Sequence, residues 1–193
     1  ANGVNYLYRD NGVTPPLGMR SSVPLGGLGA GSFEIRADGS LREVTIVNQS
    51  PGGAAKMGSM DDFLFGCRKG SAGIAKLLRT HPPAGYPSEA AAAALRYQGA
   101  YPVSRLQLMD PSMQNLNISL YAFSRFRVND LLRSMAPVVA LSLQVHNTGP
   151  TVEEVAFFMN LPLSLEENYG RHGSKAILSI MVTQDAVACL KAC

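Results

Sequence analysis

The segment Leu116-Asn117-Ile118-Ser119-Leu120-Tyr121-Ala122 decides the fold class, because apolar and polar side chains alternate along it. Neighbouring side chains of a strand point to opposite faces, so the alternation predicts a strand with one buried face. The same pattern recurs in residues 139–146 and, after a turn at residues 147–150, in residues 155–159. We therefore predict a mainly β chain folded as an antiparallel β-sandwich. The predicted core consists of Leu116, Ile118, Leu120, Leu141, Leu143, Val145, Val155 and Phe157.

A β-hairpin is predicted closer to the N-terminus. Phe33 and Ile35 alternate with charged residues, Asp38-Gly39 supplies a turn that favours positive φ, and an apolar run returns from Leu41 through Val44 and Ile46. Residues 70–87 are rich in Gly and Pro and predict a long connection. Residues 88–94 favour either a short helix or an exposed loop with a helical turn.

Composition excludes several classes of protein. The chain has 193 residues, of which 46% are hydrophobic and 16% are charged, which is typical of a globular domain. The net charge is +3 and the basic residues are scattered, so no nucleic-acid partner is predicted. No window approaches the roughly 20 apolar residues that a membrane span needs, and the first residues lack the pattern of a signal peptide.

The block of residues 24–31, Pro-Leu-Gly-Gly-Leu-Gly-Ala-Gly, is the densest run of small residues in the chain. Glycine-rich loops bind phosphate when they follow a strand and open a helix, but here a proline precedes the glycines and a hairpin follows them. We predict instead a structural turn that needs positive φ or a close backbone approach. Its glycines are Gly26, Gly27, Gly29 and Gly31.

No catalytic residue, metal ligand or cofactor site is predicted. Glycosidases need two carboxyl groups that face each other, whereas neighbours on a strand point apart. The histidines show no metal-ligand spacing, and no Gly-x-Ser-x-Gly motif is present. The candidates considered and set aside are Asp61-Asp62, Glu153-Glu154, Glu166-Glu167, His81, His146 and His172.

Two features bear on the cellular compartment. Asn117-Ile118-Ser119 is an N-glycosylation sequon whose asparagine falls on a predicted polar face, so a glycan at Asn117 would indicate an extracellular protein. The three cysteines leave one thiol over if a disulfide forms. Cys189 and Cys193 could pair with each other, or with a partner chain, under oxidising conditions, while unpaired thiols are the simpler interpretation.

Several segments together resemble a known family. Residues 23–33, the hairpin 36–43 and Asn48-Gln49-Ser50-Pro51 resemble the start of the N-terminal domain of the non-lysosomal glucosylceramidase family, the bile-acid β-glucosidases of glycoside hydrolase family 116. Further similar segments follow in the family's order, and the resemblance runs from about Pro16 to about Asn160. They are Tyr101–Leu106, Leu120–Ser124, and Ala136–Val139 leading into Val145–Asn147.

The resemblance implies a β-sandwich that packs against a helical (α/α) barrel, which carries the Glu nucleophile and Asp acid/base of a retaining enzyme. No residue here corresponds to the barrel, so no catalytic residue is transferred. Val44 and Arg125 depart from the family's usual Trp and Pro. The predicted domain spans residues 1–183, is an incomplete version of the family's sandwich, and is followed by a tail of unknown role at residues 184–193.

Two functions follow from these observations. In the first, the chain is an accessory domain of a glucosylceramidase-like enzyme, inactive by itself, with the barrel as its partner, in a cytoplasmic or membrane-peripheral location. In the second, it is a non-enzymatic structural or interaction module of a larger assembly that could be extracellular. An enzyme fragment should expose the apolar face that its barrel normally covers.

Overall fold

The computed structural model describes residues 4–9, 22–43, 63–70, 73 and 75–160, with residues 4–9 described by their backbone alone. Within these ranges Leu131–Ser134 is the single α-helix, and residues 88–90 and 111–113 form 3-10 turns. The elements are β1 (Val4–Arg9), β2 (Pro24–Gly27), β3 (Gly31–Ile35), β4 (Leu41–Arg42), β5 (Leu64–Lys69), β6 (Ala75–Leu77), β7 (Ala94–Ala100), β8 (Val103–Leu108), β9 (Leu116–Ser124), α1 (Leu131–Ser134), β10 (Val139–Asn147) and β11 (Val155–Asn160).

The described strands form three antiparallel sheets. The largest has the order β1-β7-β8-β9-β10, and the two smaller sheets have the orders β11-β5-β6 and β2-β3-β4. Within the largest sheet, β7 to β10 form a meander, in which each strand pairs with the next along the chain. The predicted mainly β, antiparallel architecture is confirmed.

One apolar core joins all three sheets. Leu25 and Ile35 come from the small glycine-rich sheet, Phe65 from the sheet of β5, and Leu95 and Ile118 from the largest sheet. Burial of such side chains contributes roughly 1.5–3 kcal/mol each to stability before the loss of conformational entropy is counted. This shared core holds the three sheets together as layers of a sandwich.

The core prediction is confirmed at the centre of the largest sheet and wrong at its edge. Leu116, Ile118 and Leu120 on β9 are buried. Leu141 and Val145 on β10 are exposed, although the register places them opposite Ala122 and Ile118 on the core-facing side. β10 is the outermost strand of the described sheet, and its core-facing side is covered only in part. The remaining three predicted core residues, Leu143, Val155 and Phe157, are partly buried against the core.

The predicted hairpin is confirmed in its described part. Ile35 pairs with Leu41 across β3 and β4. Gly39 in the turn has φ +83°, and the Asp38 carboxylate accepts a hydrogen bond of 2.9 Å from the Ser40 N–H. The expected continuation through Val44 and Ile46 lies outside the described residues.

The interpretation of residues 70–87 as a plain connection is wrong. Three of them form β6, in which Leu77 pairs with Gly66 of β5. Three residues are too short for a period-two pattern to be recognised. The open alternative at residues 88–94 resolves as a single 3-10 turn, Ser88–Ala90, after which β7 begins at Ala94.

Candidate functional site

The glycine-rich block forms the turn between β2 and β3. The Ala30 N–H donates a hydrogen bond of 3.0 Å to the Gly27 carbonyl and closes this turn. Gly26, Gly29 and Gly31 have φ values of +154°, +73° and +97°, a region that favours glycine over other residues. The tight turn therefore uses positive φ at three positions.

Gly27 adds a close backbone approach to this turn. A Cβ atom placed on Gly27 would lie 2.4 Å from the Met135 carbonyl oxygen and 2.6 Å from that of Ala136. Next to it, the Leu28 N–H donates a hydrogen bond of 2.9 Å to the Ser134 carbonyl. The glycine-rich turn is thereby joined to the connection between β9 and β10.

Within residues 125–138, which connect β9 to β10, Ser134 forms a local network of hydrogen bonds. The buried Ser134 hydroxyl contacts the Asp130 carbonyl at 2.8 Å and the Arg127 carbonyl at 3.1 Å, and it lies 3.0 Å from the Arg127 N–H. The Asp130 carboxylate caps α1 by accepting a hydrogen bond of 3.1 Å from the Arg133 N–H. The connection is therefore a structured element without a core of its own.

The β7–β8 turn completes this end of the sheets. The Ser124 N–H donates to the Pro102 carbonyl at 3.0 Å, and the Ser124 hydroxyl accepts from the Gly26 N–H at 2.7 Å. The Tyr101 and Phe126 rings meet edge to face, with centroids 5.2 Å apart. Three separate segments of the chain thus converge on one surface.

That surface is apolar and exposed. Leu132, Val128 and Leu131 are 87%, 72% and 64% exposed, values unusual for such side chains in a structured segment. We call this surface the apolar end and define it by Leu28, Tyr101, Phe126, Val128, Leu131 and Leu132. Sequence reasoning missed it, although apolar residues between two well-formed strands, without a period of two, are a signal that could have indicated it.

Basic side chains border the apolar end. Arg125 and Arg127 are exposed, and neither side chain forms an ion pair within the part of the chain that the structure describes. Asp130 is the sole acidic residue between Arg125 and Val138, and it is bound to Arg133 at 3.2 Å. The border is therefore positively charged.

A buried ion pair lies apart from this surface. The Asp110 carboxylate, 3% exposed, is 3.3 Å from the ammonium group of Lys76, which is 14% exposed. The carboxylate also accepts hydrogen bonds of 2.9 Å from the N–H groups of Ala93 and Ser112. Burial works to raise the Asp110 pKa, but the hydrogen bonds from Ser112 and Ala93 and the charge of Lys76 outweigh burial and lower it. All of these partners are protein groups, which indicates a structural role.

A second charged cluster lies on the β3–β4 hairpin. Burial raises the pKa of Glu34 to about 7, against the opposing charge of Arg36, and one Glu34 oxygen is buried without a hydrogen-bond partner. The Arg36 guanidinium is bound to Glu43 at 2.9 Å. Glycosidase sites can place a carboxyl group with a raised pKa beside an ionised carboxylate. Here the second carboxylate, Glu43, is held in an ion pair with Arg36.

The other carboxylates considered from the sequence form no facing pair among the described residues. Glu153 is bound to Lys69 at 3.1 Å, and its neighbour Glu154 is exposed. The pairs Asp61-Asp62 and Glu166-Glu167 lie outside the described residues. Glu153 and Glu154 thus sit at the start of β11 as solvated and ion-paired groups.

The structure describes the Asn117 sequon and one of the three cysteines, the features that bear on the cellular compartment. Asn117 is exposed on the outer face of β9, where its side-chain oxygen accepts a hydrogen bond of 2.7 Å from Gln107. Cys67 is a free thiol in the core, and burial raises its pKa to about 12. Cys189 and Cys193 lie outside the described residues, so the disulfide remains a prediction.

The histidines and the acidic side chains show no metal centre where they are described. His146 is exposed on β10, and the His81 ring lies 3.1 Å from the Thr80 hydroxyl, while His172 is outside the described residues. Across the described ranges, no group of three or more His, Cys, Asp or Glu could hold a metal ion. A search of the same ranges for helices long and apolar enough to span a membrane finds none.

The described residues define a mainly β domain with an exposed apolar surface and no facing pair of carboxylates. Comparison with known families then identifies it. Residues 22–182, more than four fifths of the chain, match the family described as beta-glucosidase 2, glycosyl-hydrolase family 116 N-term. The chain belongs to this family of N-terminal domains. No curated protein matches the chain significantly.

Proposed function

We propose that this chain is an accessory domain that packs against the helical (α/α) barrel of a family 116 β-glucosidase. It braces the barrel and shapes the mouth of its active site. The observation that carries this proposal is the match to the family's N-terminal domain over residues 22–182. The barrel supplies both catalytic carboxyl groups, and the complete enzyme removes glucose from glucosylceramide and other β-glucosides with retention of configuration.

The state of the described carboxylates supports a non-catalytic role. A glycosidase needs two carboxyl groups roughly 5–9 Å apart with room for a sugar between them. Here Asp110 is buried against Lys76, Glu153 is bound to Lys69, and Glu43 is bound to Arg36. A carboxylate committed to an ion pair within the fold is poorly placed to serve as nucleophile or acid.

Activity of the purified 193-residue chain tests the proposal. We expect no turnover of an aryl β-glucoside by the chain alone, and we expect the chain to raise the activity or thermal stability of a family 116 catalytic domain lacking its own N-terminal domain. Turnover that co-elutes with the chain and disappears on its thermal unfolding would contradict the proposal. A contaminating enzyme would differ in one of those two properties.

The substrate is tested with the two parts together. We expect the reconstituted enzyme to release glucose from glucosylceramide in detergent micelles as well as from an aryl β-glucoside. Release from the aryl substrate alone would restrict the proposal to soluble β-glucosides. The competing function, an interaction module of a different assembly, predicts no effect of the chain on the catalytic domain.

A further inference from the structure

The outer face of the largest sheet carries an N-glycosylation sequon. Asn117-Ile118-Ser119 lies within β9, where Asn117 is exposed and Ile118 is buried in the core. Residues two apart on a strand point to the same side, so Asn117 and Ser119 both face away from the core. A glycan attached to Asn117 would therefore project from the outside of the sheet into solvent.

The surroundings of Asn117 suit a hydrated glycan. The exposed and polar His146 lies directly opposite Asn117 on β10. The Asn117 side-chain oxygen accepts a hydrogen bond of 2.7 Å from the Gln107 amide, and this contact does not use the Asn117 Nδ2 atom. Because Nδ2 is the atom to which an N-linked glycan is joined, the folded sheet can carry the glycan and keep the contact with Gln107.

The hydroxyl that completes the sequon is withdrawn from solvent in the folded domain. Ser119 is 4% exposed, and its hydroxyl oxygen accepts hydrogen bonds of 3.0 and 3.2 Å from the Arg105 guanidinium. β9 also pairs with β8 on one side and β10 on the other, so its backbone cannot leave the sheet without breaking both ladders. A transferase that reads both Asn117 and Ser119 therefore needs the chain before β9 is paired.

We propose that Asn117 is N-glycosylated during synthesis into the secretory pathway, before β9 joins the sheet. In this step a bond forms between Asn117 Nδ2 and the anomeric carbon of an oligosaccharide carried on a lipid pyrophosphate. The bond from that carbon to the pyrophosphate oxygen breaks, the amide loses one proton to the transferase, and the lipid pyrophosphate leaves. Nothing is oxidised or reduced. This inference does not rest on the proposed function.

Translation of the 193-residue chain behind a cleavable signal peptide, in the presence of microsomes, tests the site. The glycan is detected as a gain in mass that an endoglycosidase removes. Asn117→Gln and Ser119→Ala each destroy the sequon through a different residue, and the matched control Ser119→Thr keeps the hydroxyl. We expect one glycan on Asn117 in the unaltered chain and in Ser119→Thr, and its loss in the other two variants. Failure of Ser119→Ala to fold would not disturb this result, because the glycan is added before folding.

The order of events is tested with solubilised microsomal transferase and its lipid-linked oligosaccharide. We expect a synthetic peptide of residues 113–123 to accept the glycan and the folded, unmodified 193-residue chain not to accept it. Equal acceptance by the folded chain would overturn the inferred order.

The site itself would be overturned by microsomal translation that leaves the unaltered chain unmodified. It would equally be overturned if the native protein, isolated from its source cells, had no mass that an endoglycosidase removes at Asn117. Neither result bears on the proposed function, since that is tested by activity and stability of the catalytic domain.

Discussion

Asp110 provides the sharpest test of how this fold is held together. Asp110→Ala removes the ion pair to Lys76 at 3.3 Å and the acceptor for the N–H groups of Ala93 and Ser112. The Lys76 ammonium would then be left with only the carbonyls of Glu89 and Ala91, at 2.8 and 3.0 Å. The substitution leaves one partly buried charge without an anionic partner and two backbone N–H groups without their acceptor.

The expected loss is about 3–4 kcal/mol in the free energy of unfolding. Breaking a buried ion pair by removing one partner costs about 3–5 kcal/mol, which already includes much of the roughly 1 kcal/mol of a lost cap. Asp130→Ala is the matched control, because Asp130 also caps a turn and binds an arginine, but Arg133 is half exposed. An exposed pair and cap should cost only about 1 kcal/mol.

Urea unfolding followed by circular dichroism measures both losses, since the chain has no tryptophan. A double-mutant cycle with Lys76→Met isolates the coupling between the two charges. Because the Asp110 pKa is lowered in the folded state, its contribution is present above the unfolded pKa of about 3.9 and is lost as the pH falls through the folded pKa. A loss in Asp110→Ala no larger than that in Asp130→Ala would refute this account.

Three further predictions concern other sites. Gly27→Val should destabilise the domain by about 2–3 kcal/mol, because the valine side chain would meet the Met135 carbonyl. Gly29→Ala should cost only about 1 kcal/mol, because Gly29 has φ +73° and open space around it. Equal thermal midpoints of the two variants would contradict this. Because burial raises the Glu34 pKa to about 7, the folded state loses stability as the pH rises from about 4.5 to 7. Glu34→Gln should therefore raise the thermal midpoint above that of the unaltered chain by more at pH 8 than at pH 5. The exposed control Glu154→Gln should show no such difference between the two pH values. Secretory expression should place one glycan on exposed Asn117, detected as a mass that endoglycosidase removes and that Asn117→Gln lacks; an unmodified secreted chain would contradict it.

Much of the β architecture could be predicted because its signals are local. Alternation along β9 predicts a strand whatever it pairs with, and Asp38-Gly39 predicts a hairpin turn from the φ values that these residues tolerate. The positive φ of Gly29 and Gly31 in a tight turn is likewise a preference carried by the residues themselves.

The surface and the buried ion pair could not be predicted because they depend on which distant segments meet. Leu141 has the alternation of a core residue and is exposed because β10 is the outermost described strand, a fact of sheet order. Lys76 and Asp110 become partners only when the turn after β8 packs beside β6. Leu131 and Leu132 lie exposed beside Ser134, whose carbonyl meets the distant Leu28 N–H. Periodicity reports which face a side chain takes, whereas burial depends on what lies opposite that face, and only the tertiary structure decides it.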